Sequence, residues 1–218
     1  MRSYLYLVLL LLSGLRCLVA EPADKSMTIY VVRTGEQLQG PHVLTYRLFE
    51  FIQQRGRWIV PDLGYYDVGR FDVQLWYAGA GAELRHFRHA VWTEEVYAVQ
   101  QAGSTAHNQH SLFLWSQIDA KLKPRLSVQA IAYPTVPLNR AQRWGFDIDR
   151  AKMEYAVRPH LLAGVGYSAS VGANCPWQNR PFVTSTVINR AGSWEFWLER
   201  MPGGAQVQMR YQIVRSGS

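Results

Sequence analysis

Gln206-Val207-Gln208-Met209-Arg210-Tyr211-Gln212-Ile213 decides the fold class. Val207, Met209, Tyr211 and Ile213 alternate with Gln206, Gln208, Arg210 and Gln212. A strand puts such a pattern on two opposite faces, whereas a helix scatters the same residues around its circumference. The stretch reads as a strand with one apolar and one polar face.

The pattern recurs upstream. From Ser111 on, Leu112, Leu114, Ile118, Ala120 and Leu122 share one face, while Phe113, Trp115, Gln117, Asp119 and Lys121 share the other. Leu126, Val128, Ala130 and Ala132 lie opposite Ser127, Gln129 and Ile131 in the next strand. A three-residue loop, Lys123-Pro124-Arg125, pairs Leu122 with Leu126, Ala120 with Val128 and Ile118 with Ala130, whereas a two-residue loop sets Leu122 against Arg125. The same design predicts Val157 opposite Leu161, Tyr155 opposite Ala163, Met153 opposite Val165 and Ala151 opposite Tyr167, with Arg150, Lys152 and Glu154 on the polar face. A third hairpin, turning through Asn189 to Ser193, pairs Ile188 with Trp194 and Thr186 with Phe196.

Between these hairpins the connections are longer, near residues 103–110, 137–145 and 170–181, the last holding Cys175 and Trp177. Short turns on one rim and longer loops on the other are the form of a transmembrane barrel, and place Arg85 to His89 on the periplasmic side. Nearer the N-terminus, Phe71, Val73, Leu75 and Tyr77 alternate with Asp72, Gln74, Trp76 and Ala78, but Val43 to Gln54 and Thr93 to Ala102 fit a helix nearly as well. The count is about twelve strands, starting near residues 27, 43, 57, 71, 91, 111, 125, 146, 160, 181, 193 and 205, with ten or eight as alternatives.

Residues 1–20 read as a signal peptide: Arg2, an apolar run from Tyr4 to Leu12, and Ala20 before Glu21-Pro22. The run is too short to span a bilayer as a helix, and no later run is long enough. Cleavage takes two arginines and no acid from a formal charge of +7, which leaves residues 21–218 as one mildly basic domain. Only Cys175 then remains, so no intrachain disulfide forms.

Alternation alone does not say which face points outward, because a soluble barrel has the same period with its apolar face inside. The lysines after residue 20 are only Lys25, Lys121, Lys123 and Lys152. A polar face of Gln, Ser, Thr, Arg and acids suits a hydrogen-bonded lumen better than a water-facing exterior. Trp194, Phe196 and Tyr155 near the tight turns, and Trp115 and Tyr133 toward the opposite rim, suggest two aromatic girdles. Through its signal peptide, hairpin series and final amphipathic strand, the chain resembles Gram-negative outer-membrane β-barrel proteins. That resemblance implies an all-β, antiparallel up-and-down transmembrane barrel in the outer membrane, with outer-membrane lipids, lipopolysaccharide and the barrel-assembly machinery as partners. Gly204, Val207 and Met209 are similar to the signal that this machinery reads. Such strands commonly end in an aromatic, whereas here Tyr211 is followed by Gln-Ile-Val-Arg-Ser-Gly-Ser.

The expected lumen carries Asp72, Asp119, Glu154, Glu195 and Glu199 against Lys121, Arg150, Lys152 and Arg210. Such charges either pair in a network that fills the barrel or line a narrow pore for ions or a small solute. The leading reading is a narrow pore or a structural envelope protein without catalysis or cofactor. The alternatives are a soluble periplasmic or secreted barrel binding an apolar ligand, and a membrane-embedded lipid-modifying enzyme. His86 with His89 and His107 with His110 lack further metal ligands nearby, and Arg85 and Arg88 oppose a cation at the first pair. His110 beside Ser111 is the one local hint of a nucleophile and base, but adjacent strand residues point to opposite faces. Export makes nucleic acid an improbable partner. Lipopolysaccharide phosphates near Arg140 and Arg143 suit the basic charge better.

Overall fold

The computed structural model describes residues 26–39, 42–68, 73–103, 109–140, 143–173, 175–201 and 204–216. The expected signal peptide, Asp72 and His107 lie outside them. Twelve strands follow one another: β1 (Ser26–Gln39), β2 (His42–Arg55), β3 (Trp58–Val68), β4 (Val73–Phe87), β5 (Ala90–Gly103), β6 (Gln109–Lys123), β7 (Leu126–Pro137), β8 (Gly145–Arg158), β9 (Leu161–Gly172), β10 (Cys175–Ile188), β11 (Gly192–Met201) and β12 (Gly204–Ser216). Each pairs antiparallel with the next, and β12 pairs with β1, from Met27 opposite Ser216 to Gln39 opposite Gly204. The sheet is a closed twelve-stranded barrel, which removes every edge.

The two segments of ambiguous period are strands, β2 and β5. The inner face of β2, with Tyr46, Leu48, Glu50, Ile52 and Gln54 lining the lumen, is itself half apolar. That mixture blurs the alternation and leaves a helix-like spacing in the sequence.

The tight turns carry two corrections. In the β6–β7 hairpin, Lys123 pairs with Leu126 across a two-residue Pro124-Arg125 turn, not a three-residue loop, and the ladder shifts between Lys121 and Lys123. Leu122 is the bulged residue. The bulge restores the phase that a bare two-residue turn would lose, so Ala120 faces Val128 and Ile118 faces Ala130 as expected. The β8–β9 hairpin repeats this, with Arg158 opposite Leu161, a bulge at Val157, and Tyr155, Met153 and Ala151 opposite Ala163, Val165 and Tyr167.

In the third hairpin Ile188 pairs with Ser193, Val187 with Trp194 and Thr186 with Glu195, one residue away from the expected register. The Asn189 side chain accepts from the Ala191 and Gly192 N–H groups, which fixes a tighter turn. This register places buried Thr186 beside buried Glu195, where the expected one set an inner residue beside outward Phe196.

The segment 170–181 is mostly strand rather than loop. β9 runs to Gly172 and β10 starts at Cys175, with an irregularity between Cys175 and Gln178. At this rim Trp177 Nε1 donates to Asn179 Oδ1 (2.5 Å) and to the Tyr167 hydroxyl (3.0 Å), so side chains continue the bonding that Gly and Pro weaken. The rims consequently differ less in loop length than the sequence implies.

Large apolar side chains point outward along the whole wall, including Val60, Leu63, Met153, Val165, Val183, Leu198 and Val207. Aromatics collect at both ends of this exterior: Tyr30, Trp58, Phe87, Trp92, Tyr155 and Phe196 toward the tight turns, and Trp76, Trp144 and Trp177 toward the other rim. Inside, glycines face aromatics directly across the ladder: Gly35 and Tyr46, Gly64 and Tyr77, Gly79 and Tyr97, Gly166 and Phe182. A β-carbon on Gly79 would meet the Tyr97 ring at 2.3 Å. The bare glycine backbone lets each ring lie along the wall.

Candidate functional site: the barrel lumen

Among the described residues the lumen encloses cavities of about 670 Å³ and 580 Å³, which share Val91, Asp119, Gln129 and Arg210 as walls. Every described lumen candidate from the sequence lines one or both. Arg150, Glu199 and Arg210 line the larger cavity; Lys121, Lys152, Glu154, Glu195 and again Arg210 line the smaller; Asp119 lines both. The polar face of β6, β8, β11 and β12 is thus the inner face.

Most of these residues form one network. Glu195 on β11 is its centre: it accepts from Lys152 on β8 and from Trp197 Nε1 (2.6 Å), with Arg150 and Arg210 guanidinium nitrogens each 3.7 Å away. Lys152 also contacts Glu154 at 2.9 Å, and Thr186 donates to Glu154 at 2.7 Å. Ser168 and Gln208 donate to Glu199, the latter at 2.9 Å. Buried charges without such partners would be strongly destabilising. Asp119 stands apart, held by Gln117 and Gln129 amides at 2.5 and 2.8 Å. Lys121 is exposed at the turn rim.

The charge that spans the lumen was not legible beforehand. Arg33 on β1 reaches Asp149 on β8, five strands away around the ring, at 3.0 Å. The Arg33 guanidinium also donates twice to Gln208 Oε1, at 2.8 and 2.5 Å. Arg33 and Arg150 each lie 4.7 Å from the Trp197 ring, which stacks on Phe182 at 4.9 Å. Strict alternation sends Asp149 outward when Arg150 faces in. Ladder shifts between Ile131 and Ala132 and between Ile148 and Ala151 let both neighbours face the lumen. Adjacent opposite charges in Asp147-Ile148-Asp149-Arg150 are the one signal in the sequence that marks this break.

Trp115 and Tyr133 are not girdle residues. They share the inner face with Gln117 and Ile131 and stack in the lumen at 5.2 Å and 14°. Phe113 stacks on Tyr133 at 5.1 Å, Tyr97 meets Trp115 edge-on at 6.1 Å, and Tyr77 meets Tyr97 edge-on at 5.4 Å. One arc of the wall is therefore continuously aromatic.

Charges divide along the same lines. Every Arg lining the larger cavity, namely Arg33, Arg150, Arg180 and Arg210, belongs to β1 or to β8–β12. Among the described residues the arc from β2 to β6 contributes Glu50, Asp62, Glu83, Glu95 and Asp119 and no basic residue to that cavity. Among the described residues no three of His, Cys, Asp and Glu form a group able to hold a metal ion. His86 bonds Glu83 at 2.8 Å. His110 is exposed while Ser111 is buried, so the two lie on opposite faces and do not act as base and nucleophile together.

No protein-family model matches the chain, and no curated protein matches it by sequence. Among solved structures the barrel is similar to a KdgM porin in complex with disordered oligogalacturonate, with a TM-score of 0.56 and 9% identity over 86% of this chain and 99% of that one. It is similar to NanC porin, with a TM-score of 0.56 and 5% identity over 87% and 100% of the two chains. An outer-membrane channel from Pseudomonas putida F1 gives a TM-score of 0.57 and 11% identity over 90% and 97%. What is shared at these identities is the fold, a closed barrel of the kind that outer-membrane porins and channels use.

Proposed function

We propose that the protein is a small channel of the bacterial outer membrane, passing ions or a small solute through a lumen narrowed by its own side chains. The observation that carries this reading is the polarity of the wall. Val, Leu, Met and aromatic side chains cover the outside of a closed sheet, while the buried Glu, Asp, Arg, Lys, Gln and Thr side chains lie on the inside, among aromatic and aliphatic ones. A water-soluble barrel has the opposite arrangement, and a lipid-facing belt between aromatic girdles fits the exterior. The soluble ligand-binding alternative fails on this point, because the interior that would take an apolar ligand is charged.

The bridge from Arg33 to Asp149 and the network around Glu195 make the bore narrow and its charge local. In the KdgM porin complex the bound molecule is an acidic oligosaccharide. Here the inward arginines stand beside carboxylates, so a long polyanion is a poor fit. On the rim away from the tight turns, exposed Arg140 and Arg143 suit lipopolysaccharide phosphates. The deciding measurement is planar-bilayer recording of purified barrel whose folding is established by heat-modifiable gel migration. Discrete conductance steps support the channel. Folded protein that gives no current at any voltage refutes it in favour of a structural envelope role.

A further inference from the structure

The arc from β2 to β6 is a buried anionic wall: the Arg150 and Arg210 charges act on Glu50, but among the described residues no ion pair reaches Asp62 or Glu95. Tyr77 donates to Glu50 Oε1 at 2.8 Å, and Tyr97 donates to Asp62 Oδ2 at 2.9 Å. Those hydroxyls satisfy one oxygen each. Asp62, only 1% exposed, and Glu95, 6% exposed, hydrogen-bond each other when one carries a proton, and when both are ionised Asp62 Oδ1 and Glu95 Oε2 have no partner. The charges acting on Asp62 are the carboxylates of Glu50 and Glu95. All three acids line the larger cavity, whose arginines belong to β1, β8, β10 and β12.

Like charges brought together in a buried site require a counter-charge, from a proton or from a cation. The surrounding surface says which kind of cation fits. The rings of Tyr77, Tyr97, Trp115 and Tyr133 border the same cavity, and aromatic faces attract ammonium groups that have shed part of their water. A bare metal ion is disfavoured, since no three carboxylates converge closely enough to ligate one among the described residues. The cavity, about 670 Å³, is of the size that takes a small organic molecule.

We propose that this wall binds small organic cations, an ammonium group lying against Asp62 and Glu95 with its hydrocarbon part along the Tyr77 to Tyr133 rings. This rests on the reading of the lumen as a channel and names the class of solute that the channel selects. The arc from β8 through β12 to β1 pairs Asp149, Glu154, Glu195 and Glu199 with its own Arg and Lys side chains, so the Asp62 and Glu95 side of the lumen sets the preference.

Three probes of one ring type test it by isothermal titration of the full barrel in detergent: tyramine, a cation; 4-ethylphenol, its neutral counterpart; and 4-hydroxyphenylacetate, an anion. Tyramine should bind at least about tenfold more tightly than either, a difference of about 1.4 kcal/mol. Glu95→Gln and Asp62→Asn, each checked for heat-modifiable migration, should remove that margin, whereas Glu94→Gln on the outer wall should keep it. In bilayers under a salt gradient, the reversal potential should have the sign of cation preference and move toward zero in Glu95→Gln.

Equal binding of the three probes by the unsubstituted protein overturns the proposal and shows that protons alone balance the wall. That comparison needs no variant to fold. A barrel that conducts but does not distinguish the probes sinks this inference and leaves the channel standing. One that binds tyramine but passes no current keeps the site and sinks the channel.

Discussion

Replacing Arg33 with Met tests the bridge across the lumen, because it keeps the apolar stem and removes the guanidinium. Three hydrogen bonds go, two to Gln208 and one to Asp149, together with the contact to the Trp197 ring at 4.7 Å. Breaking a buried ion pair outright costs about 3–5 kcal/mol, because it strands the remaining charge. Here Asp149 keeps Arg150 at 2.7 Å, so no bare carboxylate remains. The loss is then that of charge-assisted hydrogen bonds, about 1.5–3 kcal/mol, with about 0.5–1 kcal/mol more for the ring contact. Urea unfolding in lipid vesicles, followed by tryptophan fluorescence, should show a destabilisation of about 2–4 kcal/mol by these contributions. A double-mutant cycle with Asp149→Asn should give a coupling of about 0.5–3 kcal/mol. Single-channel conductance should rise, because the bond that crosses the bore is gone. An unchanged conductance together with a stability change within about 0.5 kcal/mol, the size of an ordinary surface substitution, refutes the bridge as both support and constriction.

Val183→Arg, on the outer wall opposite Leu198, should cost about 2–4 kcal/mol in vesicles if that wall faces lipid at mid-depth, against about 0.5 kcal/mol at most if it faces water. Gly79→Ala places a β-carbon 2.3 Å from the Tyr97 ring, and its overpacking should cost about 1–3 kcal/mol in the same unfolding assay. The companion change Tyr97→Leu should recover part of that loss. Glu195→Gln leaves Arg150, Lys152 and Arg210 without their shared carboxylate, so the reversal potential under a salt gradient should move toward anion preference. That shift has the same sign as the one expected for Glu95→Gln, because each change removes one negative charge from the lumen.

Strand number and the inner face of the C-terminal half were legible because lipid-facing and lumen-facing residues alternate cleanly there. Val207, Met209 and Tyr211 against Gln206, Gln208 and Arg210 need no tertiary information. Registers held where two apolar series had to meet, as at Ala120 with Val128, and the bulges at Leu122 and Val157 only changed how the phase was kept. Sequence reading failed where a local irregularity broke the period. Asp149 beside Arg150 defeats alternation through a bulge, and the Asn189 side chain tightens a turn by one residue. Nor does any local pattern announce that Arg33 meets a residue 116 positions away, since that contact exists only once the ring has closed. Trp115 and Tyr133 were misplaced for a different reason: aromatic residues serve equally at a membrane interface and against a glycine-lined inner wall. Parity with Gln117 and Ile131 was the better guide.

Closure itself sets the order in which the barrel can form. Every interface but one joins strands that are consecutive along the chain, so each brings together partners close in sequence. The exception joins β1 to β12, where Met27 meets Ser216 and nearly the whole described chain lies between partners. The entropy of bringing such ends together grows only as the logarithm of the intervening length, but it is met in a single non-local step. Until that step is taken, the first and last strands are two open edges of complementary register, able to pair with the matching edges of another copy. Closing the seam is therefore the event that turns a growing sheet into a single molecule.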